Sequence, residues 1–167
     1  MKDWAVILGA SSGIGEACAK SLAKRGINIY GIYLRKKKSQ IETLTNELLQ
    51  NEGVSVIFKK ANASNLENMD AIIKELKSKG NIRVKMLIHS IAFGTLKQMV
   101  SESNQSLTKQ NIEMTQDVMC NNLIYWTQKL FENKLLNQGS HILAMTSAGG
   151  HKNWKNYGAV SLAKAGL

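Results

Sequence analysis

Short β-branched and apolar runs alternate along this chain with longer amphipathic stretches. That alternation restricts it to βα units around a parallel sheet. Residues 4–8 predict the first strand, followed by a Gly/Ser turn and a helix over 14–25 that Gly26 closes. Residues 27–34 predict the second strand. Ile41, Leu44, Leu48 and Leu49 form the apolar stripe of a helix ending at Gly53. A third strand over 54–60 precedes Ser64-Asn65-Leu66-Glu67, which reads as a capping box. The helix it opens carries Leu66, Met69, Ile72, Ile73 and Leu76 on its core face. The fourth strand is expected over 84–89, and residues 92–109 are polar and aperiodic, a long loop with some helix. A long helix over 112–136 then ends at Gly139, the fifth strand covers 140–145, and a last helix begins near Tyr157. Right-handed crossovers place helices on both faces of such a sheet, giving an α/β, doubly wound fold.

The chain of 167 residues reads as one domain, 1–167, with no repeat or linker. It stops at Lys164-Ala165-Gly166-Leu167, inside an apolar helix with no stop signal, so the last strands of the sheet are expected to be missing. No apolar run reaches the ~18 residues that span a bilayer, and the first residues lack a signal-peptide pattern. Cys18 and Cys120 have neither metal-ligand spacing nor a disulfide framework, so no metal is expected and the cytoplasm is the expected compartment. The net charge of +10 raises the question of nucleic acid. Against it, 19 of the 22 basic residues are lysines, with no clustered stripe interleaved with aromatics.

Between the first strand and first helix lies Gly9-Ala10-Ser11-Ser12-Gly13-Ile14-Gly15. Glycine allows turn angles closed to other residues, and small side chains let backbone approach a pyrophosphate. The helix N-terminus then offers unpaired N–H groups and the positive end of its dipole. This position makes the segment a dinucleotide-binding turn rather than an ordinary flexible one.

The Gly-x-x-x-Gly-x-Gly spacing resembles the short-chain dehydrogenase/reductase family, and the resemblance runs the length of the chain. It implies a Rossmann-type fold and a nicotinamide cofactor held by Gly9, Ser11, Ser12, Gly13, Ile14 and Gly15. Where an NAD site holds an acid that bonds the ribose 2′-OH, this chain has Arg35-Lys36-Lys37-Lys38. A 2′-phosphate would be attracted by Arg35, with Lys36 assisting, so the expected cofactor is NADP(H). Asn62, followed by Ala63, matches the family's polar residue at the adenine end. The run His89-Ser90-Ile91-Ala92-Phe93 resembles the corresponding segment of bacterial enoyl-acyl-carrier-protein reductases, so Ser90, Ile91 and Ala92 are expected at the cofactor. His89 itself reads as polar support at a strand end.

Tyr157 and Lys164 match the family's Tyr-x6-Lys. Seven positions make about two helical turns, so both side chains share a face. An ammonium near the phenol favours phenolate, and the resemblance implies that Lys164 also holds the nicotinamide ribose. Tyr157 would then donate a proton or hydrogen bond to the substrate oxygen. Ser147 is the candidate for the family's carbonyl-binding serine. Carbonyl-reducing members commonly carry that serine thirteen residues before the tyrosine, where this chain has Ala144. Ser147 stands ten before, the spacing at which enoyl reductases carry a second tyrosine. Spacing thus suggests enoyl reduction and residue type suggests carbonyl reduction. The family's helix asparagine aligns with Met119 rather than with Asn121 or Asn122. Trp126 and Tyr125 read as helix packing, His151 and Trp154 as loop filling.

The resemblance leads to NADPH-dependent reduction of an acyl-thioester, the 2-enoyl group on acyl carrier protein, with 3-oxoacyl (carbonyl) reduction as the alternative. A protein that binds NADP(H) without turnover is a further reading. Expected partners are an acyl carrier protein and further copies of the chain, as a homodimer or homotetramer. Neither nucleic acid nor membrane is expected.

Overall fold

A computed structural model describes residues 1–103 and 105–167. Asn104, in the loop expected over 92–109, lies outside the described residues. The elements are β1 (Lys2–Leu8), α1 (Gly13–Ala23), β2 (Asn28–Tyr33), α2 (Lys38–Leu49), β3 (Val56–Lys60), α3 (Leu66–Lys77), β4 (Ile82–His89), α4 (Lys109–Gln116), α5 (Asn122–Glu132), β5 (His141–Ala144) and α6 (Gly158–Gly166). They fall into two compact units, Met1–Ser90 with Trp126–Leu143, and Ile91–Tyr125 with Ala144–Leu167.

The first unit holds the five-stranded sheet, in the order β3-β2-β1-β4-β5. β1 pairs in parallel with β2 and β4, and β2 with β3. Ala5 through Leu8 are fully buried, the continuous apolar run that a strand covered on both faces requires. Strand order reverses between β1 and β4, so their C-terminal ends form the switch point where such sheets bind ligands. Gly9 and Ser90 follow those two ends, and Ser90 N donates to the Leu8 carbonyl at 2.8 Å. A Lys20–Glu47 ion pair at 2.9 Å links α1 to α2. On the other face, Lys129 of α5 bonds Asp70 of α3 at 2.5 Å. Ile142 and Leu143 of β5 remain exposed.

The second unit packs Met119 and Cys120 against Val160 and Ala163 of α6, with Val118, Tyr157 and Leu167 at the margin. Gly94 is pressed against this core. A Cβ there would stand 2.5 Å from Thr115 Cγ2 and 2.9 Å from Val160 Cγ2. Thr115, buried, accepts a hydrogen bond from Thr95 N at 3.0 Å.

Several local expectations shift. Leu49 and Leu66 are exposed: Leu49 is one residue, about 100°, past the Ile41–Leu44–Leu48 face, and Leu66 opens α3 ahead of its first buried residue. The cap of α3 is Asn65, whose side chain accepts from Asn68 N at 2.8 Å, not Ser64. Asn62 explains the shift, because its Oδ1 already accepts from Ser64 N at 3.0 Å and holds that residue in a turn. No helix occurs among the described residues of 92–107. α4 starts three residues before Ile112, where Thr108 and Asn111 cap each other reciprocally. A π turn over Asp117–Asn121 interrupts the long helix. That helix ends at Glu132 because Lys134 adopts φ 58 and Leu135 N returns to the Leu130 carbonyl, while Gly139 serves the turn into β5. Among the described residues, no helix is long and apolar enough to cross a membrane.

Candidate active and cofactor-binding residues

In the first unit, both Gly9 N and Ala10 N donate to the Ile32 carbonyl, at 2.9 and 3.0 Å, tying the turn to the end of β2. Gly9 and Gly13 have φ of 85° and 55°, the left-handed region that glycine enters without penalty. Gly15 is required by space: a Cβ would lie 2.2 Å from the Gly9 carbonyl oxygen. The result is a tight backbone cradle at the start of α1. Ser12 is the extended N-cap of α1 and makes no side-chain cap bond, so the first-turn N–H groups are left for an anion. Ser12, Gly13 and Ile14 are exposed there, and Ser11 is partly so. These residues fit a dinucleotide pyrophosphate.

At the end of β2, Arg35 is exposed and Lys36 half-buried. The N-cap of α2 is Lys37, and the first turn carries no acid. Lys38 is committed to Glu42 at 3.7 Å. Asn62 has its Oδ1 engaged with Ser64, leaving Nδ2 as the donor it can offer a base. Ala63 is buried, and its carbonyl accepts from the indole of fully buried Trp126 at 2.9 Å. The sequence predicts only a packing role for Trp126, whereas its indole also clamps the segment after β3 through the Ala63 carbonyl. His89, fully buried at the end of β4, fits its supporting role.

In the second unit, Ile91 is half-buried and Ala92 exposed. Ser147 lies beyond the end of β5, not at it, and its Oγ accepts from Gly149 N at 3.1 Å in a tight turn over Ala148–Gly150. Ala144 is the residue at the strand end. Tyr157 is the N-cap of α6 rather than a residue of its first turn. Its ring is fixed on two sides. Trp154 meets it edge-on at 5.1 Å, and the ring occupies the space over Gly149, where a Cβ would approach Cε1 to 2.2 Å. Neither contact was foreseen, although Gly149-Gly150 after Ser147 marks a place where another group comes close. Asn156, just before Tyr157, holds φ 64. With Lys97, Gln98 and Ser101 it lines a polar hollow.

Lys164 is 6% exposed, and its Nζ donates to the Met145 carbonyl at 2.5 Å. Burial holds its pKa below the ordinary 10.5, with the neighbouring Cys120 sulfur pulling the other way. Thr146 Oγ1 donates to the Lys164 carbonyl at 3.1 Å, so the segment after β5 is bound to α6 at both ends of the lysine. Met119 is buried within the π turn, at the position where the family's asparagine was sought.

A family model described as Enoyl-(Acyl carrier protein) reductase matches residues 9–167. The chain is 26% identical over 165 residues to an enoyl-(acyl-carrier-protein) reductase (NADH) of Enterococcus faecalis, covering 97% of this chain and 62% of that protein. It is 24% identical over 167 residues to 17-beta-hydroxysteroid dehydrogenase type 3 of Rattus norvegicus, covering 99% and 51%. Its fold matches an enoyl-(acyl-carrier-protein) reductase of Anaplasma phagocytophilum solved with NAD, at TM-score 0.80, 22% identity, 99% of this chain and 61% of that one. The chain therefore spans about 62% of the length of the Enterococcus relative.

Proposed function

The chain belongs to the short-chain dehydrogenase/reductase family, and on that premise we propose that it is a cytoplasmic NADPH-dependent oxidoreductase reducing the 2-enoyl group of an acyl-thioester on acyl carrier protein. Ala144 at the end of β5 carries the enoyl reading. A methyl group stands where carbonyl reducers place a hydroxyl, and Ser147 Oγ lies past the strand in its own turn. The Enterococcus relative and the matching family description support the same choice.

The glycine turn and the first N–H groups of α1 would hold the pyrophosphate, Asn62 and Ala63 the adenine, and Arg35 with Lys36 the 2′-phosphate. When bound, the reduced nicotinamide supplies hydride to the β-carbon of the enoyl group. The rest falls to side chains of this chain. Tyr157 Oη donates a hydrogen bond to the thioester carbonyl oxygen, stabilising the enolate charge as it develops there, and a proton from solvent then completes the reduction at the α-carbon. Its ring, held by Trp154 and Gly149, needs little reorganisation to do so. Lys164 holds the ribose hydroxyls and adds positive charge beside the phenol. The lysine-rich surface would steer an acidic carrier protein, so KM for a carrier-linked substrate should rise with salt.

Initial rates with crotonyl- and acetoacetyl-thioesters, each with NADPH and NADH, test the reading. Crotonyl turnover with NADPH preferred is expected, and turnover of acetoacetyl-thioester alone would replace it with 3-oxoacyl reduction. Ser147 and the similarity to 17-beta-hydroxysteroid dehydrogenase favour that second reading. If neither substrate is turned over but NADPH binds, the protein is a dinucleotide-binding module.

A further inference from the structure

We propose that Lys60, the last residue of β3, is a third cation of the 2′-phosphate site and sets the preference for NADPH over NADH; this rests on the cofactor reading above. The register of β2 and β3 pairs Gly31 with Phe58, Ile32 with Lys59 and Tyr33 with Lys60. Side chains alternate between faces along a strand, so Lys59 and Lys60 serve opposite faces. Lys59 is committed to the α3 face, where its Nζ meets Glu75 at 3.2 Å beside the Tyr30 hydroxyl. Lys60 therefore belongs with Phe58 and Tyr33.

That face leads to the glycine turn. Phe58 fills the space over Gly31, where a Cβ would stand 2.6 Å from its Cε1, and Ala10 Cβ borders the same point at 2.8 Å. Phe58 also meets Tyr33 edge-on at 6.4 Å. Ala61 N donates to the Tyr33 carbonyl at 2.9 Å, which fixes the backbone just past Lys60. Neighbouring strands lie ~4.8 Å apart, so Lys60 is one strand spacing from Tyr33. Arg35 and Lys36 follow Tyr33 by two and three residues. Arg35, Lys36 and Lys60 thus all lie within three residues or one strand of Tyr33, at one corner of the sheet.

The charges of Lys36 and Lys60 are not balanced in the way the neighbouring ones are. Lys38 has Glu42 and Lys59 has Glu75, whereas, among the described residues, neither Lys36 nor Lys60 forms an ion pair with a carboxylate. Clustered like charges repel, and a dianionic phosphate relieves that repulsion. A ribose 2′-OH does not. The corner therefore discriminates through charge, and Lys60 supplies part of it from the end of β3.

Lys60 is exposed, so Lys60→Gln should fold normally, and Lys59→Gln is a matched control that removes the same charge from the other face. Dissociation constants of NADPH and NADH would be measured by fluorescence titration on the whole 167-residue chain. Lys60→Gln is expected to weaken NADPH about five- to tenfold, one charge-assisted hydrogen bond, and NADH less than twofold. Lys59→Gln should move neither beyond about twofold, and Lys60→Arg should retain NADPH affinity. An unchanged NADPH/NADH ratio in Lys60→Gln, with the unsubstituted chain preferring NADPH, overturns the assignment of Lys60 alone. An equal shift in Lys59→Gln would also overturn it, by reducing the effect to net charge. Equal affinities in the unsubstituted chain would remove the NADPH reading itself and this proposal with it.

Discussion

Lys164 Nζ and the Met145 carbonyl oxygen lie 2.5 Å apart, so the buried ammonium is anchored by backbone of its own unit. One carbonyl satisfies one of an ammonium's three donors. Two remain, which under the proposed function would serve the ribose of the cofactor.

Burial of Lys164 has a consequence for stability against pH. Desolvation lowers its pKa below 10.5, against the opposing influence of Cys120. Between the lowered value and 10.5 the unfolded chain holds more protons than the folded one, so this group makes stability climb as pH rises. Lys164→Met should remove that part of the climb. Urea midpoints for both proteins from neutral pH to pH ~11 would show it, and parallel curves would mean that the ammonium is not desolvated.

Tyr157→Phe keeps the ring over Gly149 and against Trp154 while deleting only the hydroxyl. Melting temperature and NADPH affinity should stay close to the parent values. The reduction rate should fall by about 10²- to 10³-fold, the usual size of one oxyanion-stabilising hydrogen bond. Retention of more than a tenth of the rate would take Tyr157 out of the chemistry.

Gly13 and Gly15 should respond differently to alanine. At Gly13 space is open and only the φ of 55° opposes a side chain, a cost of about 1–2 kcal/mol. At Gly15 the methyl group meets the Gly9 carbonyl, and the turn itself must move. Gly15→Ala is expected to lose dinucleotide binding, whereas Gly13→Ala mainly lowers the denaturation midpoint. Equal loss of binding in both would show that the cradle does not depend on close approach.

Glu75 ties β2 and β3 to α3 through Tyr30 at 2.9 Å and Lys59 at 3.2 Å. Burial alone would raise its pKa, but the hydrogen bonds from Tyr30 and Lys59 outweigh that and hold it below 4.5. Stability from this group is therefore full above pH 4.5 and is lost as pH falls through the lowered value. Glu75→Gln should flatten the acid limb of a midpoint-against-pH curve. Tyr30→Phe should cost about 1 kcal/mol near neutrality, as for one hydrogen bond.

The strands and the glycine turn were legible because their signals are local: apolar runs, turn residues and a helix start in fixed order. All five strands fall where the alternation puts them, each within two residues at either end. Elements closed by unusual partners were not legible. Lys134 ends a helix with a positive φ that its residue type gives no reason to expect. Asn62 pre-empts Ser64 through a bond two residues long. The π turn leaves the apolar spacing of the long helix superficially intact. Likewise Tyr157, Lys164 and the Gly9–Gly15 turn could be found by spacing, but not the contacts that immobilise them. Trp154, Gly149 and the Met145 carbonyl act through packing and backbone, which carry no residue-type signature.

The bare sides of β5 have a practical side. Ile142 and Leu143 are consecutive, so they project from opposite faces of the sheet, and both are exposed. A parallel sheet is ordinarily covered on both faces. In the 167-residue chain this margin therefore carries one apolar side chain above the sheet and one below it. In a tube it would set the highest concentration at which the protein stays in solution.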